Sequence, residues 1–158
     1  MTRKGPAALQ NRHSIRFPNA PHYVPLARRV IVEFARTCGL PERASDDLTC
    51  AVGEALANAV EHGFRDRTYF AVRCWREGDA ILVEVEDDGR GFDPDERLEP
   101  DGNATRGYGI TIMRSLVDEV TFKRNGRLVR LRKALVENGQ LDDGEPEEEP
   151  ERKADLAG

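Results

Sequence analysis

The chain has 158 residues, 39% of them hydrophobic and 34% charged, with a formal net charge of -5. That length suits one domain with a proper buried core and is short for two ordinary ones. No run approaches the roughly 18 consecutive apolar residues of a membrane span, and the opening MTRKGPAALQNRHS lacks a signal-peptide core, so a cytoplasmic protein is expected.

The charge is unevenly spread. From Glu137 onward nine acids face Arg152 and Lys153, which leaves that segment at -7 and residues 1–136 near +2. An acidic stretch nearly devoid of large apolar side chains cannot offset its ordering entropy by burial. The expected organisation is a flexible N-terminus over residues 1–11, one domain over 12–136 and a disordered acidic tail over 137–158. A nearly neutral body without a basic stripe interleaved with aromatics argues against direct nucleic-acid binding. Cys38, Cys50 and Cys74 are odd in number and widely spaced, which suits reduced, buried thiols and neither disulfide nor metal spacing.

In chain order, HSIRFPN reads as a short strand. PLARRVIVEFARTCGLP follows as a helix with Pro25 in its first turn, Leu26, Val30 and Phe34 on its apolar stripe, and Gly39 as its stop. ASDDLTCAVGEALANAVEHGF is a second helix, with Ser45 as cap, Asp46 and Asp47 at its positive end and Gly63 as terminator. RTYFAVRCW and AILVEVED alternate as strands about Glu77-Gly78-Asp79. An irregular stretch runs from Gly91 to Arg106, and helical periodicity resumes at Ile110, Met113, Leu116 and Val117. DEVTFKR and RLVRLRK then flank Asn125-Gly126, a strong hairpin signal. The sum is an α+β two-layer sandwich, a mostly antiparallel mixed sheet with helices on one face.

Three places carry chemistry. On the second helix Leu48, Val52, Leu56 and Ala59 form the buried stripe, while Glu54 and Asn58, spaced i and i+4, share another face and can aim a carboxylate and an amide at one point. A half-exposed polar pair fits the same spacing. Small neighbours (Ala51, Gly53, Ala55, Ala57) leave room for something bulky against the helix. The strand AILVEVED ends at Asp87, followed by Asp88-Gly89-Arg90-Gly91. An acceptor-only carboxylate there suits an amino group such as the exocyclic amine of adenine, and glycines beside it admit a flat ring; a turn after a strand is the plain alternative. Gly107-Tyr108-Gly109 opens the third helix, where free backbone N–H groups make an anion site, or simply a loop-to-helix junction. Neither glycine phrase is a Rossmann fingerprint, and the sequence holds no P-loop.

In this order along the chain the three pieces resemble the ATP-binding fold shared by histidine kinases, type II topoisomerases, Hsp90 chaperones and MutL proteins. GEALANAVEHGF is similar to their N box, DDGRGF to their first glycine box and RGYGITIM to their second. Within that superfamily residues 12–133 most resemble the bacterial anti-sigma-factor serine/threonine protein kinases. The resemblance implies that Glu54 is the general base and that Asn58 coordinates Mg²⁺. It implies that Asp87 accepts from adenine beside Gly89 and Gly91, and that Arg106, Gly107, Tyr108, Gly109 and Thr111 serve the nucleotide's phosphates. Residues 92–106 would form a short lid, shorter than that of most histidine kinases. Some family members place an Arg one position earlier, with a small residue where Arg106 stands. The implied partners are ATP, a sigma factor and a STAS-domain anti-anti-sigma substrate, with a homodimer as the assembly. Two other functions fit the same fold: a nucleotide-gated binding module without phosphotransfer, and an ATPase or detached histidine-kinase catalytic domain.

Overall fold

The computed structural model describes residues 12–62, 68–91, 93–94 and 108–135. The expectations for residues 1–11, for Gly63, for most of the lid and for the acidic tail lie outside the described residues. The elements run β1 (His13–Pro18), a short 3-10 turn (Pro21–Tyr23), α1 (Val24–Thr37), α2 (Glu42–His62), β2 (Tyr69–Glu77), β3 (Ala80–Asp87), α3 (Tyr108–Leu116), β4 (Glu119–Lys123) and β5 (Leu128–Ala134).

Helix α1 has Pro25 in its first turn, as expected, where the missing N–H costs nothing. Its buried stripe is Ala27, Ile31, Phe34 and Ala35, turned from the expected one, and Leu26 is 47% exposed. Two alanines carry little weight in a hydrophobicity pattern, yet on a helix that packs against α2 a small side chain is what allows close approach. The helix ends in a Schellman motif. Gly39, at φ +90°, donates its N–H to the Arg36 carbonyl at 2.9 Å, and Leu40 donates to Ala35 at 3.1 Å.

Helix α2 starts three residues before the expected cap. The Ser45 N–H already donates to the Pro41 carbonyl at 2.8 Å, so the ladder begins at Pro41. Ser45 is fully buried inside the helix, where its Oγ accepts Arg36 Nε at 3.3 Å. The Ser-Asp-Asp pattern imitates a cap, but the residue in the cap position is Pro41, immediately before Glu42. The stripe of Leu48, Val52, Leu56 and Ala59 is buried as expected.

The five strands form one sheet in the order β1-β2-β3-β5-β4. Every pairing is antiparallel, so the expected mixed character is not found among the described strands. Glu77 pairs with Ala80 across Gly78-Asp79, and Gly78 at φ +60° gives a two-residue turn compatible with the strand twist. Alternation then sorts the side chains. Phe70, Val72 and Cys74 of β2, Ile81, Val83 and Val85 of β3, and Val129 and Leu131 of β5 meet Ile31, Leu48, Leu56 and Met113 from the helices in one core. Each such fully buried side chain contributes roughly 1.5–3 kcal/mol.

The other face is held by charge pairing around a smaller cluster of Trp75, Ala80 and Leu82. Glu84, itself buried, accepts Arg130 Nη2 at 2.6 Å and Arg73 Nη1 at 3.4 Å, and Glu86 accepts Arg73 Nη2 at 2.6 Å and pairs with Arg124. Lys133 ties the layers together by donating to the Leu116 carbonyl at the end of α3 (2.8 Å) and to Asp47 of α2 (3.2 Å).

Cys74 is buried as expected, Cys38 is half-buried and Cys50 is exposed. Burial, and then the neighbouring Cys38, push the Cys74 thiol up to about 12. Brief iodoacetamide treatment of the native protein near pH 8 is therefore expected to label Cys50 and spare Cys74, as read by peptide mass spectrometry; labelling of both at equal rates would contradict the burial. A raised folded-state value also means that this thiol's share of stability is intact below its ordinary value of 9.0 and is lost as pH climbs towards about 12.

Candidate functional site

The site assembles where three elements meet: the α3-facing side of α2, the end of β3 and the start of α3. The core stripe leaves Glu54 and Asn58 on the flank of α2, and both are half-buried. What faces them is the first turn of α3. A methyl group placed on Gly109 would lie 2.8 Å from Glu54 Oε2 and 3.8 Å from both Oδ1 and Nδ2 of Asn58. The i, i+4 pair is therefore directed at a helix N-terminus, with its free N–H groups and partial positive charge.

The expected reason for the small residues of α2 holds only in part. Ala51 and Ala55 are buried in the core, Ala57 is exposed, and Gly53 lies beside Arg28 of α1.

Asp87 closes β3 and is 7% exposed. Its N–H donates to the Arg127 carbonyl at 2.9 Å, and its Oδ1 accepts the Gly89 N–H at 2.7 Å. Asp87 lines a narrow recess of about 10 Å³, room for a single water, with Ala55, Asn58 and Ala59 of α2 and with Phe122 and Arg127 of the β4–β5 hairpin. Asn58 thus borders both the Asp87 recess and the start of α3. Among the described residues no group of three His, Cys, Asp or Glu could hold a metal ion, so a cation here would take its remaining ligands from elsewhere.

Gly89 is buried beside Asp87. Gly91 has a reason of its own to be glycine. It sits at φ +76°, and a methyl on it would fall 1.9 Å from the Asn125 carbonyl oxygen and 3.1 Å from Arg127 Cγ. The close neighbour seen there is the β4–β5 turn, in which Arg124, Asn125 and Gly126 all adopt positive φ. Tyr108 is 61% exposed and Thr111 is also exposed, both near the same end of α3. Arg106 and Gly107 lie outside the described residues. The sequence reading missed Phe122, Gly126 and Arg127. Their only signal was the Asn-Gly turn, and nothing local says that the fifth strand pairs with the third.

The sequence matches the histidine kinase-like ATPase domain family over residues 17–133, from β1 to β5. The chain belongs to that family. Within it, 32% identity over 139 residues relates the chain to serine-protein kinase RsbW of Bacillus velezensis, covering 80% of this chain and 86% of the relative. Serine-protein kinase RsbW of Listeria monocytogenes is 29% identical over 126 residues, covering 72% and 80% of the two chains. An anti-sigma F factor of Thermoanaerobacter is 29% identical over 119 residues, covering 69% and 83%. These relatives bear out the membership in the anti-sigma-factor kinase family that the three motifs suggested. The fold is also that of the crystal structure of the RsbU and RsbW domains of Rv1364c from Mycobacterium tuberculosis. The TM-score is 0.56 at 18% identity, over 79% of this chain and 32% of that larger one. Among the described residues no helix is long and apolar enough to cross a membrane.

Gly91→Ala tests the turn contact. The added methyl meets backbone, which cannot yield as a flexible side chain can, and the positive φ adds strain. A loss of about 1–3 kcal/mol is expected in urea unfolding, whereas unchanged stability would show that the β4–β5 turn moves away freely.

Proposed function

We propose that this protein is an ATP-dependent anti-sigma factor and serine/threonine kinase that phosphorylates a STAS-domain anti-anti-sigma partner in a cytoplasmic partner-switching system. The observation that carries the proposal is the convergence of the Glu54–Asn58 face of α2 on the first turn of α3 at Gly109. It puts a carboxylate and an amide oxygen beside a helix N-terminus suited to phosphate. The family relationship supports ATP as the phosphoryl donor, and the relatives named anti-sigma F factor and serine-protein kinase support the protein partners.

In this reading the Asp87 carboxylate accepts a hydrogen bond from the adenine amine, and the recess beside Asn58 and Phe122 widens to admit the ring. The backbone N–H groups of Tyr108 and Gly109, with Thr111 in the same turn of α3, take the phosphates, and the family resemblance extends that role to Arg106 and Gly107. Glu54 removes the proton from the substrate hydroxyl as that oxygen bonds to the γ-phosphorus. The bond from that phosphorus to the bridging oxygen breaks, and ADP leaves. A positioned general base contributes about 10² to 10⁴ in rate. The donor set is compatible with Mg²⁺, because a hard cation that keeps waters and nucleotide oxygens needs only one or two protein oxygens, and Asn58 Oδ1, 3.8 Å from where a Cβ on Gly109 would lie, would be one. When bound, that cation neutralises the phosphates. The family resemblance extends the proposal to a homodimer.

Radiolabelled ATP with Mg²⁺ and purified STAS-domain proteins tests this directly. Phosphoserine or phosphothreonine on a STAS protein is expected. Retention of a partner that depends on ATP but leaves it unmodified would select the binding-module reading, and steady hydrolysis without a protein substrate would select an ATPase.

Two substitutions separate the roles. Glu54→Gln is expected to lower transfer by at least about 10² while ATP affinity, measured by calorimetry, stays within a few-fold; equal loss of both would mark Glu54 as structural. Asp87→Asn removes an acceptor-only group, so adenine nucleotides should weaken by about tenfold or more, the equivalent of one charge-assisted hydrogen bond. Unchanged affinity in a folded variant would refute the adenine role.

A further inference from the structure

Gly109 is not explained by its backbone. Gly39, Gly78, Gly91 and Gly126 all adopt positive φ, the region where glycine is favoured, whereas Gly109 lies in the first turn of α3 with ordinary helical geometry. There alanine is the better residue, because glycine loses more backbone freedom on ordering. A phosphate held through the backbone N–H alone would keep that bond with alanine; only one lying against the Gly109 Cα would need glycine, and its loss would show in ATP affinity. The space a side chain would need is occupied instead. A Cβ at Gly109 would come to 2.8 Å from Glu54 Oε2, closer than real Cβ contacts, while both Asn58 atoms stay at an ordinary 3.8 Å. The other helical glycine near the site shows the contrast, for a Cβ at Gly53 would meet nothing nearer than Arg28 Nη1 at 3.7 Å.

We infer that Gly109 is a positioning residue for the Glu54 carboxylate: its missing side chain is the slot in which the general base is held against the start of α3. The inference rests on the assignment of Glu54 as base. The atom in the way is the far end of a flexible side chain, so a methyl at residue 109 displaces the carboxylate and leaves the helices packed. Asn58 and the backbone N–H groups keep their places. The substitution therefore moves one group of the site and spares the others. A displacement of the order of 1 Å in a reacting group costs about 10²-fold in rate.

Gly109→Ala is the test, assayed in single turnover with radiolabelled ATP and the STAS-domain protein phosphorylated by the unaltered kinase. The transfer rate is expected to fall about 10²-fold, with ATP affinity within about threefold of the parent and a thermal midpoint that is unchanged or higher. The conservative pair Glu54→Asp with Gly109→Ala gives the second readout. Aspartate is one methylene shorter and withdraws the carboxylate from the added methyl. The double variant should therefore transfer faster than the product of the two single losses predicts.

A Gly109→Ala enzyme with the parent rate, or one that loses ATP affinity in step with rate, would overturn the inference, as would strictly multiplicative losses in the double variant. Glu54→Gln, run alongside, separates the two levels. If it transfers at the parent rate, the general-base reading fails and takes this inference with it. If it is inactive while Gly109→Ala is unimpaired, the positioning role alone is wrong.

Discussion

The site depends on how closely two helix surfaces can approach. α2 spends one face on the core through Leu48, Val52, Leu56 and Ala59, and that burial fixes its rotation about its own axis. With the rotation fixed, Glu54 and Asn58 can only face α3. The approach of α3 is held from below by Met113 and Val117 in the core and at its far end by Lys133, whose ammonium bonds the last-turn carbonyl of Leu116 and also reaches Asp47. A cation at a helix C-terminus is favourable by the helix dipole as well as by the hydrogen bond. The polar pair thus reaches the α3 N-terminus because apolar burial on its other side leaves it nowhere else to go.

The sheet supplies the second half of the arrangement. Asp87 sits at the end of the central strand, between β2 and β5, where its backbone is tied to Arg127 and its carboxylate to Gly89. Gly91 then lets the chain leave β3 by passing directly under the Asn125 carbonyl. Phe122 and Arg127 come to the recess as a result of the β3–β5 pairing, since that register sets the β4–β5 hairpin beside Asp87.

Much of this was legible in the residues, and the limits have physical causes. Period-two alternation and the Gly78 and Asn125-Gly126 turns marked both hairpins, because strand pattern and positive-φ requirements are local. The i, i+4 spacing of Glu54 and Asn58 placed them on one face before any fold was known. Local patterns failed where small residues or topology decide. Ala27 and Ala35, neutral in a hydrophobicity pattern, carry the buried face of α1. Ser45 looked like a cap and is instead buried in the first turn of a helix that begins at Glu42. The hairpin wall of the recess escaped notice because strand order is a non-local property. For the same reason the slot at Gly109 could not be seen, since a glycine at a helix start looks alike whether it serves a phosphate or a neighbouring side chain.

The strand order has a kinetic corollary. The β2–β3 and β4–β5 hairpins join neighbours in sequence and can form early, whereas β1 must find β2 across both α1 and α2, and β3 must find β5 across α3 and β4. Long-range pairings of this kind come late, because loop closure opposes them until the contacts on either side exist. The residues that would hold a nucleotide come from α2, β3, α3 and the last hairpin, so a nascent or truncated chain can own every motif and still have no cavity. If the proposed site is the nucleotide site, nucleotide capture would report completed folding, open only to molecules whose last strand has docked.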